Sequence, residues 1–188
     1  TTVEIGDNTV IRECVTINRG TTDKNNTVVG SNCLIMAYVH IAHDCMVGNY
    51  VILANGVQLA GHIILGDYVF VGGTSAVHQF VNIGPHAMVA GGSLVRKDVP
   101  PFVKVAREPL SYAGVNSIGL RRRGFSSEKI EEIQDIYRIL YLSGLNNTSA
   151  IDKVELEYAA TAERDEIINF IRNSERGIIK SGTSKNID

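Results

Sequence analysis

The sequence predicts a mainly β fold, a solenoid of short parallel strands that is followed by a helical C-terminal part. The first observation is a period of six: fifteen of the sixteen positions taken in steps of six from Ile5 to Val95 are Ile, Leu or Val. The second is a set of small or apolar residues four positions after most of these aliphatics, and the third is a change to helical spacing beyond Pro101. A period of six fits neither a helix nor a hairpin, but it is typical of hexapeptide-repeat parallel β-helices.

Each hexapeptide is expected to form one flat face of a three-sided prism, so that one coil takes eighteen residues. The aliphatic side chain points to the axis, the ladder of hydrogen bonds runs between coils, and the small residue beside the aliphatic turns the corner. Burial of each aliphatic contributes roughly 1.5–3 kcal/mol before entropy is counted. Asp23 breaks the pattern within the polar stretch 21–26, which predicts a loop that bulges from the column.

The repeat is expected to stop at Pro100 and Pro101, because proline cannot donate to a ladder. We therefore predict a β-helical domain over residues 1–102 and a helical domain over residues 103–188. The chain enters the repeat already running, which indicates that earlier coils precede it.

Three helices are predicted in the C-terminal part. The first starts near Ser126 and stops at Gly144, the second is capped by Thr148, and the third runs from Thr161 to Ser174. They are expected to cover the open end of the column and its last strand edges. The polar tail, residues 181–188, is expected to be disordered.

Composition excludes several classes of function. A formal net charge of −2 offers no electrostatic footprint for nucleic acid. The chain has no apolar run of membrane-spanning length and no signal peptide opens it, so we expect a cytosolic compartment. Cys33 and Cys45 fall on the inward register, so we expect both to be reduced thiols in the core.

All five histidines lie between positions 40 and 86, where polar residues interrupt the repeat. The eighteen-residue coil places Gly61 directly over His43 and Asp44 under His62, with His78 on the next coil of the same corner. A neutral histidine beside a carboxylate is suited to act as a general base near neutral pH. A glycine over that histidine leaves a backbone N–H free to face a reacting atom.

Other interpretations of the histidines remain open at this point. Three neutral imidazoles are enough for a zinc site, as in the gamma-class carbonic anhydrases, which share this type of column. Solvated surface histidines on an inert structural or binding solenoid are a further alternative. A covalent nucleophile is not expected, since the corner has no cysteine and Ser75 points inward.

Long ordered motifs resemble one known family over residues 1–180. They lie at residues 38–45, 59–62 and 76–80, and again at 98–101, 114–116, 122–125 and 176–177. These runs are similar to the bacterial acyl-(acyl carrier protein):UDP-N-acetylglucosamine O-acyltransferases. The resemblance implies a left-handed parallel β-helix, a helical C-terminal domain and a homotrimer with active sites between subunits.

The resemblance also implies a reaction. A (3R)-hydroxyacyl chain is transferred from acyl carrier protein to the glucosamine 3-hydroxyl of UDP-N-acetylglucosamine, which is the first step of lipid A, and hence lipopolysaccharide, biosynthesis in the bacterial cytoplasm. No metal and no cofactor are expected apart from the phosphopantetheine that carries the donor. The preferred length of the acyl chain is not predicted.

The family's roles fall on matching positions of this sequence. His43 matches the general base, Asp44 the acid that orients it, and Gly61 the backbone N–H that stabilises the oxyanion. The other matching positions line the substrate and donor groove (His40, His62, His78 and Gln79), contact the nucleotide or the donor (Asn116, Arg122 and Arg123), or form the floor of the acyl groove (Gly91). The carrier protein is acidic, so exposed cations are its expected contacts, with Arg121, Arg122, Arg123, Arg172 and Arg176 as candidates.

Two departures and two sibling families complete the prediction. The family's N-terminal coils are absent from this sequence, and Ile118 stands where better-known members have an acidic residue. The N-acyltransferases that act on UDP-3-O-acylglucosamine share the column and the base histidine, but they lack the run Arg122 to Phe125. The acetyl-CoA-dependent hexapeptide acetyltransferases lack the long helical cap.

Overall fold

The computed structural model describes residues 1–182 and builds them into a parallel β-helix that is followed by a hairpin and helices. The column consists of β1 (Thr2–Ile5), β2 (Val10–Ile11), β3 (Thr16–Ile17), β4 (Asn26–Val29), β5 (Leu34–Ile35), β6 (His40–Ile41), β7 (Met46–Val47), β8 (Ile52–Leu53), β9 (Gln58–Leu59), β10 (Ile64–Leu65), β11 (Phe70–Val71), β12 (Ala76–Val77), β13 (Asn82–Ile83), β14 (Met88–Val89) and β15 (Leu94–Val95). It continues with β16 (Val103–Ala106), β17 (Ser111–Val115), α1 (Ser117–Arg122), α2 (Ser127–Leu142), α3 (Asn147–Glu157) and α4 (Ala162–Arg172).

The strands form the three faces that the period of six predicts. The first face has the order β1-β4-β7-β10-β13, the second β2-β5-β8-β11-β14-β16-β17, and the third β3-β6-β9-β12-β15. From β4 to β15, successive coils pair in parallel at an offset of eighteen residues, as in Ile35 with Leu53. Only the first coil of the described chain is longer: Thr16 pairs with His40, at an offset of 24, because of the predicted loop.

Three corners join the faces, and we number them by the face that precedes them. The first corner follows Val29, Val47, Leu65 and Ile83, the second follows Ile35, Leu53, Val71 and Val89, and the third follows Ile41, Leu59, Val77 and Val95. The axis holds the predicted aliphatic column, which is buried from Val29 onward. Ile5 and Ile11 are 47% and 40% exposed, because no coil within residues 1–182 stacks beneath them.

The corners need a left-handed backbone, but not at the position that we expected. Positive φ falls three residues after the aliphatic, at Asp44 (φ 60°), His62 (φ 61°) and Phe80 (φ 64°) on the third corner. The small residue beside the aliphatic is required by close approach instead: a Cβ on Gly30 would lie 2.5 Å from the carbonyl oxygen of Gly48. On the third corner this geometry places the side chains of Asp44, His62 and Phe80 one above the next.

Cys33 and Cys45 are buried on the axis and free, as their register predicts. Burial raises the pKa of the Cys45 thiol to about 11. Because the reactive form is the thiolate, this thiol is a packing group and not a nucleophile.

The prediction that Pro100 and Pro101 end the ladder is wrong. The chain passes them and re-enters the second face as β16, where Val89 pairs with Val105, and β17 then closes the face as an antiparallel partner of β16. A proline removes only its own N–H from a ladder, so pairing can resume two residues later. The division of the chain into domains at residue 102 stays a prediction.

The predicted helices are present, with one wrong cap and one addition. α2 and α4 begin next to Ser126 and Thr161, which cap them, close to the predicted starts, but α3 is capped by Asn146 and not by Thr148. The short helix α1 was not predicted. α2 packs on β17, and the buried Tyr137 hydroxyl donates a hydrogen bond to the carbonyl of Pro101 at 2.6 Å.

The predicted disordered tail lies mostly outside the described residues, which end at 182. Ser181 forms a parallel bridge with Tyr112, so the start of that segment is paired with β17. Within residues 1–182, no helix combines the length and the apolar character needed to cross a membrane.

Candidate active site

The third corner brings three of the predicted residues into contact. Nδ1 of His43 lies 2.8 Å from Oδ2 of Asp44, and Nε2 of His62 lies 3.7 Å from the same oxygen. The rings of His43 and His62 meet edge to face, with centroids 5.1 Å apart. Because Asp44 and His62 occupy equivalent left-handed positions on successive coils, the stacking repeat itself builds this cluster.

Asp44 is a fully buried carboxylate with its hydrogen bonds satisfied. Its Oδ1 accepts from the backbone N–H of Thr21 at 2.8 Å and its Oδ2 from the Thr21 hydroxyl at 2.5 Å. Burial alone raises the pKa of this carboxyl, but the hydrogen bonds from Thr21 and His43 outweigh it and lower the pKa to about 2. Asp44 is therefore ionised at neutral pH.

The charge state of Asp44 decides the tautomer of His43. An ionised carboxylate only accepts hydrogen bonds, so Nδ1 of His43 carries the proton that lies between them. Nε2 of His43 is then left with a lone pair. The side chain of His43 is 42% exposed, so this lone pair belongs to a group that a substrate can reach.

Gly61 lies over His43, as the coil arithmetic predicts. A Cβ at this position would lie 2.7 Å from Cε1 and 2.9 Å from Nε2 of His43, so no side chain fits there without moving the imidazole. The amide N–H of Gly61 has no hydrogen-bond acceptor within residues 1–182. The corner therefore combines a base and a free backbone donor.

The other predicted groove residues lie around this cluster without joining it. His40 projects from the third face, and its Nδ1 is 2.7 Å from the hydroxyl of Thr16 on the coil below. His78 and Gln79 are exposed on the third corner, one coil above Gly61. The zinc alternative needed His40 together with His43 and His62, and this set of three imidazoles is not assembled. Donor atoms of His43, Asp44 and His62 do lie within 4.8 Å of one another, but the two carboxylate oxygens are already occupied by hydrogen bonds.

Asn116 and Arg123 lie at the first corner, on another edge of the prism from His43. Asn116 is 8% exposed, and its side chain accepts from Gly119 and donates to the carbonyl of His86 at 2.9 Å. Arg123 donates to the carbonyl of Tyr68 at 3.1 Å and lies over the Tyr68 ring. One terminal nitrogen of this guanidinium is buried without a hydrogen-bond partner in the described chain.

The remaining predicted positions are exposed. Arg122 is exposed on α1, next to the exposed Ile118. Gly91 lies at the second corner, where it packs against the backbone of Gly73. Within one protomer the predicted site residues are therefore distributed over three corners, and only the third corner forms a cluster.

Thr21 and Asp23 were not predicted as site residues. Both lie in the loop of the first coil, and Oδ2 of Asp23 is 3.5 Å from Nδ1 of His62. The polar stretch predicted a bulge, but the six additional residues break the eighteen-residue arithmetic, so the sequence did not show where the bulge would fold.

Comparison with known proteins identifies the family. The hexapeptide family of bacterial transferases matches residues 26–61, and the family described as UDP-N-acetylglucosamine O-acyltransferase, domain 2, matches residues 98–179. A curated acyl-(acyl carrier protein)–UDP-N-acetylglucosamine O-acyltransferase from Thiobacillus denitrificans is 46% identical over 181 residues, which is 96% of this chain and 70% of the relative. One from Xanthomonas oryzae is 50% identical over 184 residues, covering 96% of this chain and 69% of the relative.

A solved structure supports the same assignment. The UDP-N-acetylglucosamine acyltransferase from Bacteroides fragilis superposes with a TM-score of 0.93 at 52% identity, covering 95% of this chain and 70% of that chain. The expected fold class, a left-handed parallel β-helix followed by helices, is thereby confirmed. The chain belongs to the family of acyl-(acyl carrier protein):UDP-N-acetylglucosamine O-acyltransferases.

Proposed function

We propose that this protein transfers a (3R)-hydroxyacyl chain from acyl carrier protein to the 3-hydroxyl of the glucosamine unit in UDP-N-acetylglucosamine, the first step of lipid A biosynthesis. The observation that carries the proposal is the pair of His43 and Asp44 under Gly61. It supplies a base with a defined tautomer and a free backbone donor at one exposed corner. Membership in the family supports this reaction over N-acyl transfer and over zinc chemistry.

Each step of the reaction has a group at the third corner. Nε2 of His43 takes the proton of the sugar hydroxyl while the oxygen of that hydroxyl forms a bond to the carbonyl carbon of the thioester. The carbonyl electron pair moves to oxygen, where the N–H of Gly61 stabilises the negative charge. The carbon–sulfur bond then breaks, and the pantetheine thiolate takes the proton from His43. No cofactor is required beyond the carrier's own pantetheine.

A second copy of the chain completes the site in this proposal. His43 and Gly91 border the third face, whereas Asn116 and Arg123 lie at the first corner, and one convex prism cannot bring both sets to one substrate. Packing of a third face against the first corner of a neighbour unites them, and three such contacts close a trimer. Apolar side chains are also exposed beside these surfaces: Met46 and Ile64 on the first face are 43% and 51% exposed, and Phe80 on the third corner is 49% exposed. A neighbouring protomer would cover such side chains.

The arginines that are candidates for docking the carrier protein differ in whether their charge is already paired within the chain. Arg172 is paired with Glu155 at 2.8 Å, and Arg123 is engaged with Tyr68. Arg121 and Arg122 are exposed and have no ion-pair partner in the described chain, so they are the better candidates for an acidic carrier protein. The compartment, the bacterial cytoplasm, stays a prediction.

Product analysis by mass spectrometry tests the proposal. The protein is incubated with a hydroxyacyl carrier protein and either UDP-N-acetylglucosamine or its 3-O-acyl-glucosamine analogue, with the His43→Ala variant as the control. Ester formation on the first acceptor only, and its loss in the variant, is the expected result. Amide formation on the second acceptor indicates the sibling N-acyltransferase, and activity that a chelator removes and zinc restores indicates the metal alternative.

A further inference from the structure

We propose that the loop of the first coil, residues 18–25, belongs to the active site. Within it, Thr21 is a positioning residue that sets the strength of the hydrogen bond between Asp44 and His43. This inference rests on the acyl transfer proposed above. It concerns a residue that does not touch substrate and acts through the Asp44 carboxylate.

The loop is anchored so that Thr21 has a fixed place. The N–H of Gly20 donates to the carbonyl of Thr2 at 3.0 Å, and the N–H of Asn25 donates to the carbonyl of Thr21 at 2.8 Å, which closes the loop on itself. A side chain at Gly20 would overlap the backbone of Asn26. The six residues added to this coil therefore return over the third corner.

Thr21 and His43 compete for the same carboxylate oxygen. Oδ2 of Asp44 accepts the Thr21 hydroxyl at 2.5 Å and the Nδ1 of His43 at 2.8 Å, and Oδ1 accepts the Thr21 N–H. Donors to a carboxylate reduce its basicity. Thr21 thus limits the negative charge that Asp44 presents to His43, while Asp44 still fixes the tautomer of the imidazole.

The loop also reaches the second histidine of the corner. His62 lies between Oδ2 of Asp23 at 3.5 Å and Oδ2 of Asp44 at 3.7 Å, and its ring stacks on Phe80. The titratable groups around the pair of His43 and Asp44 include His62, Asp23 and the buried thiol of Cys45, which is uncharged at neutral pH because burial raises its pKa to about 11. Because the side chain of Asp23 is 63% exposed, water screens its attraction for His62. Thr21, which bonds directly to the buried Asp44 carboxylate, is therefore the loop residue with the larger influence on the pair of His43 and Asp44.

The chain offers a matched set of variants for the test. Thr21→Val keeps the shape of the side chain and removes the hydroxyl, and Thr21→Ser restores the hydroxyl. Thr22→Val makes the same change at the next residue, which is exposed and whose hydroxyl makes no hydrogen bond within residues 1–182. Each variant is assayed for kcat/KM against pH, and the imidazole of His43 is titrated by NMR, which does not depend on turnover.

We expect Thr21→Val to move the acidic limb of kcat/KM and the NMR titration of His43 upward together, by about 0.5–1 pH unit. Thr21→Ser and Thr22→Val are expected to match the wild type. An unmoved pKa of His43 in Thr21→Val, whatever the rate, overturns the inference, because a merely structural role leaves the pKa in place. An inactive wild-type protein overturns the proposed reaction instead, and the NMR titration still decides the role of Thr21.

Discussion

His43 is exposed at a corner, so its chemistry can be separated from its packing. We expect His43→Ala to lower kcat by about 10²–10⁴-fold with little change in the KM of the acyl donor, because a general base acts in the transition state. The variant is expected to stay folded, with a small loss of thermal stability: truncation at this site leaves no core cavity, and Asp44 loses the hydrogen bond from His43 but keeps both from Thr21. His78→Ala, a change at an exposed histidine of the same corner, is the control and is expected to affect mainly KM. Residual kcat within tenfold of the wild type would exclude His43 as the base.

The contact between Gly61 and His43 predicts a coupled pair of variants. Gly61→Ala places a methyl group 2.7 Å from Cε1 of His43, so the imidazole must move, and we expect losses of both activity and thermal stability. Removing the ring relieves the overlap, so the double variant Gly61→Ala/His43→Ala is expected to unfold at a higher temperature than Gly61→Ala alone. Equal unfolding temperatures would show that the methyl group is accommodated elsewhere.

His86 makes stability depend on pH. Its ring is stacked between Tyr68 and Phe102, and burial, together with the nearby Arg123 charge, lowers its pKa to about 4. The unfolded chain binds a proton near pH 6.5, so stability is lost as pH falls from about 6.5 towards 4. We expect the free energy of unfolding to fall by about 2 kcal/mol less in His86→Phe than in the wild type between pH 7 and 4.5, by urea titration. An identical pH dependence would show that folding does not change the proton affinity of His86.

At the scale of the element, the caps of α3 distinguish the structure from the sequence prediction. The side chain of Asn146 accepts from the N–H of Ser149 at 2.9 Å, whereas Thr148 lies inside the first turn. We expect Asn146→Ala to destabilise the protein by about 1 kcal/mol and Thr148→Ala to have a much smaller effect, both by chemical denaturation. The reverse order would support the original assignment.

Elements with a local signal were predicted correctly from the sequence. The aliphatic register follows from the regular spacing of six, and the loop at Asp23 and the starts of α2 and α4 near Ser126 and Thr161 follow from short local stretches. β16 was missed because its partner β14 lies before the two prolines, and β17 because nothing local signals its hairpin with β16. Such strand pairings depend on tertiary contacts, which the secondary-structure propensities of the residues do not encode.

The site was predictable where the repeat is regular. Gly61 over His43 and Asp44 under His62 follow from the eighteen-residue coil, and the structure confirms both contacts. Thr21 was missed because its coil takes 24 residues. The sequence showed that Asn116 and Arg123 belong to long motifs, but their place at the first corner required the path of the chain through β16 and β17.

At the scale of the whole molecule, the proposed sharing of sites between protomers predicts complementation. His43→Ala and Arg122→Glu are each expected to be inactive, because one lacks the base and the other repels the donor. Coexpression in equal amounts is expected to restore about a quarter of the sites, since random trimers unite an intact third corner with a neighbour's intact Arg122. Activity is measured per protomer after gel filtration.

Mixing the two purified variants without subunit exchange is the control and is expected to remain inactive. No restoration on coexpression would place both residues in one protomer's site, and a monomer on gel filtration would remove the basis of the shared site. An active Arg122→Glu variant would show that this arginine does not contact the donor.

The inserted loop has a consequence for how such a catalyst can be altered. The first coil is six residues longer than its neighbours, yet Thr16 and Ile17 still meet His40 and Ile41 in register. The length of the loop at this corner is thus independent of the strand register of the column. A segment of different length or composition between Asn18 and Asn25 is therefore expected to change the contacts that the loop makes with Asp44 and His62, while the strands of the column keep their register.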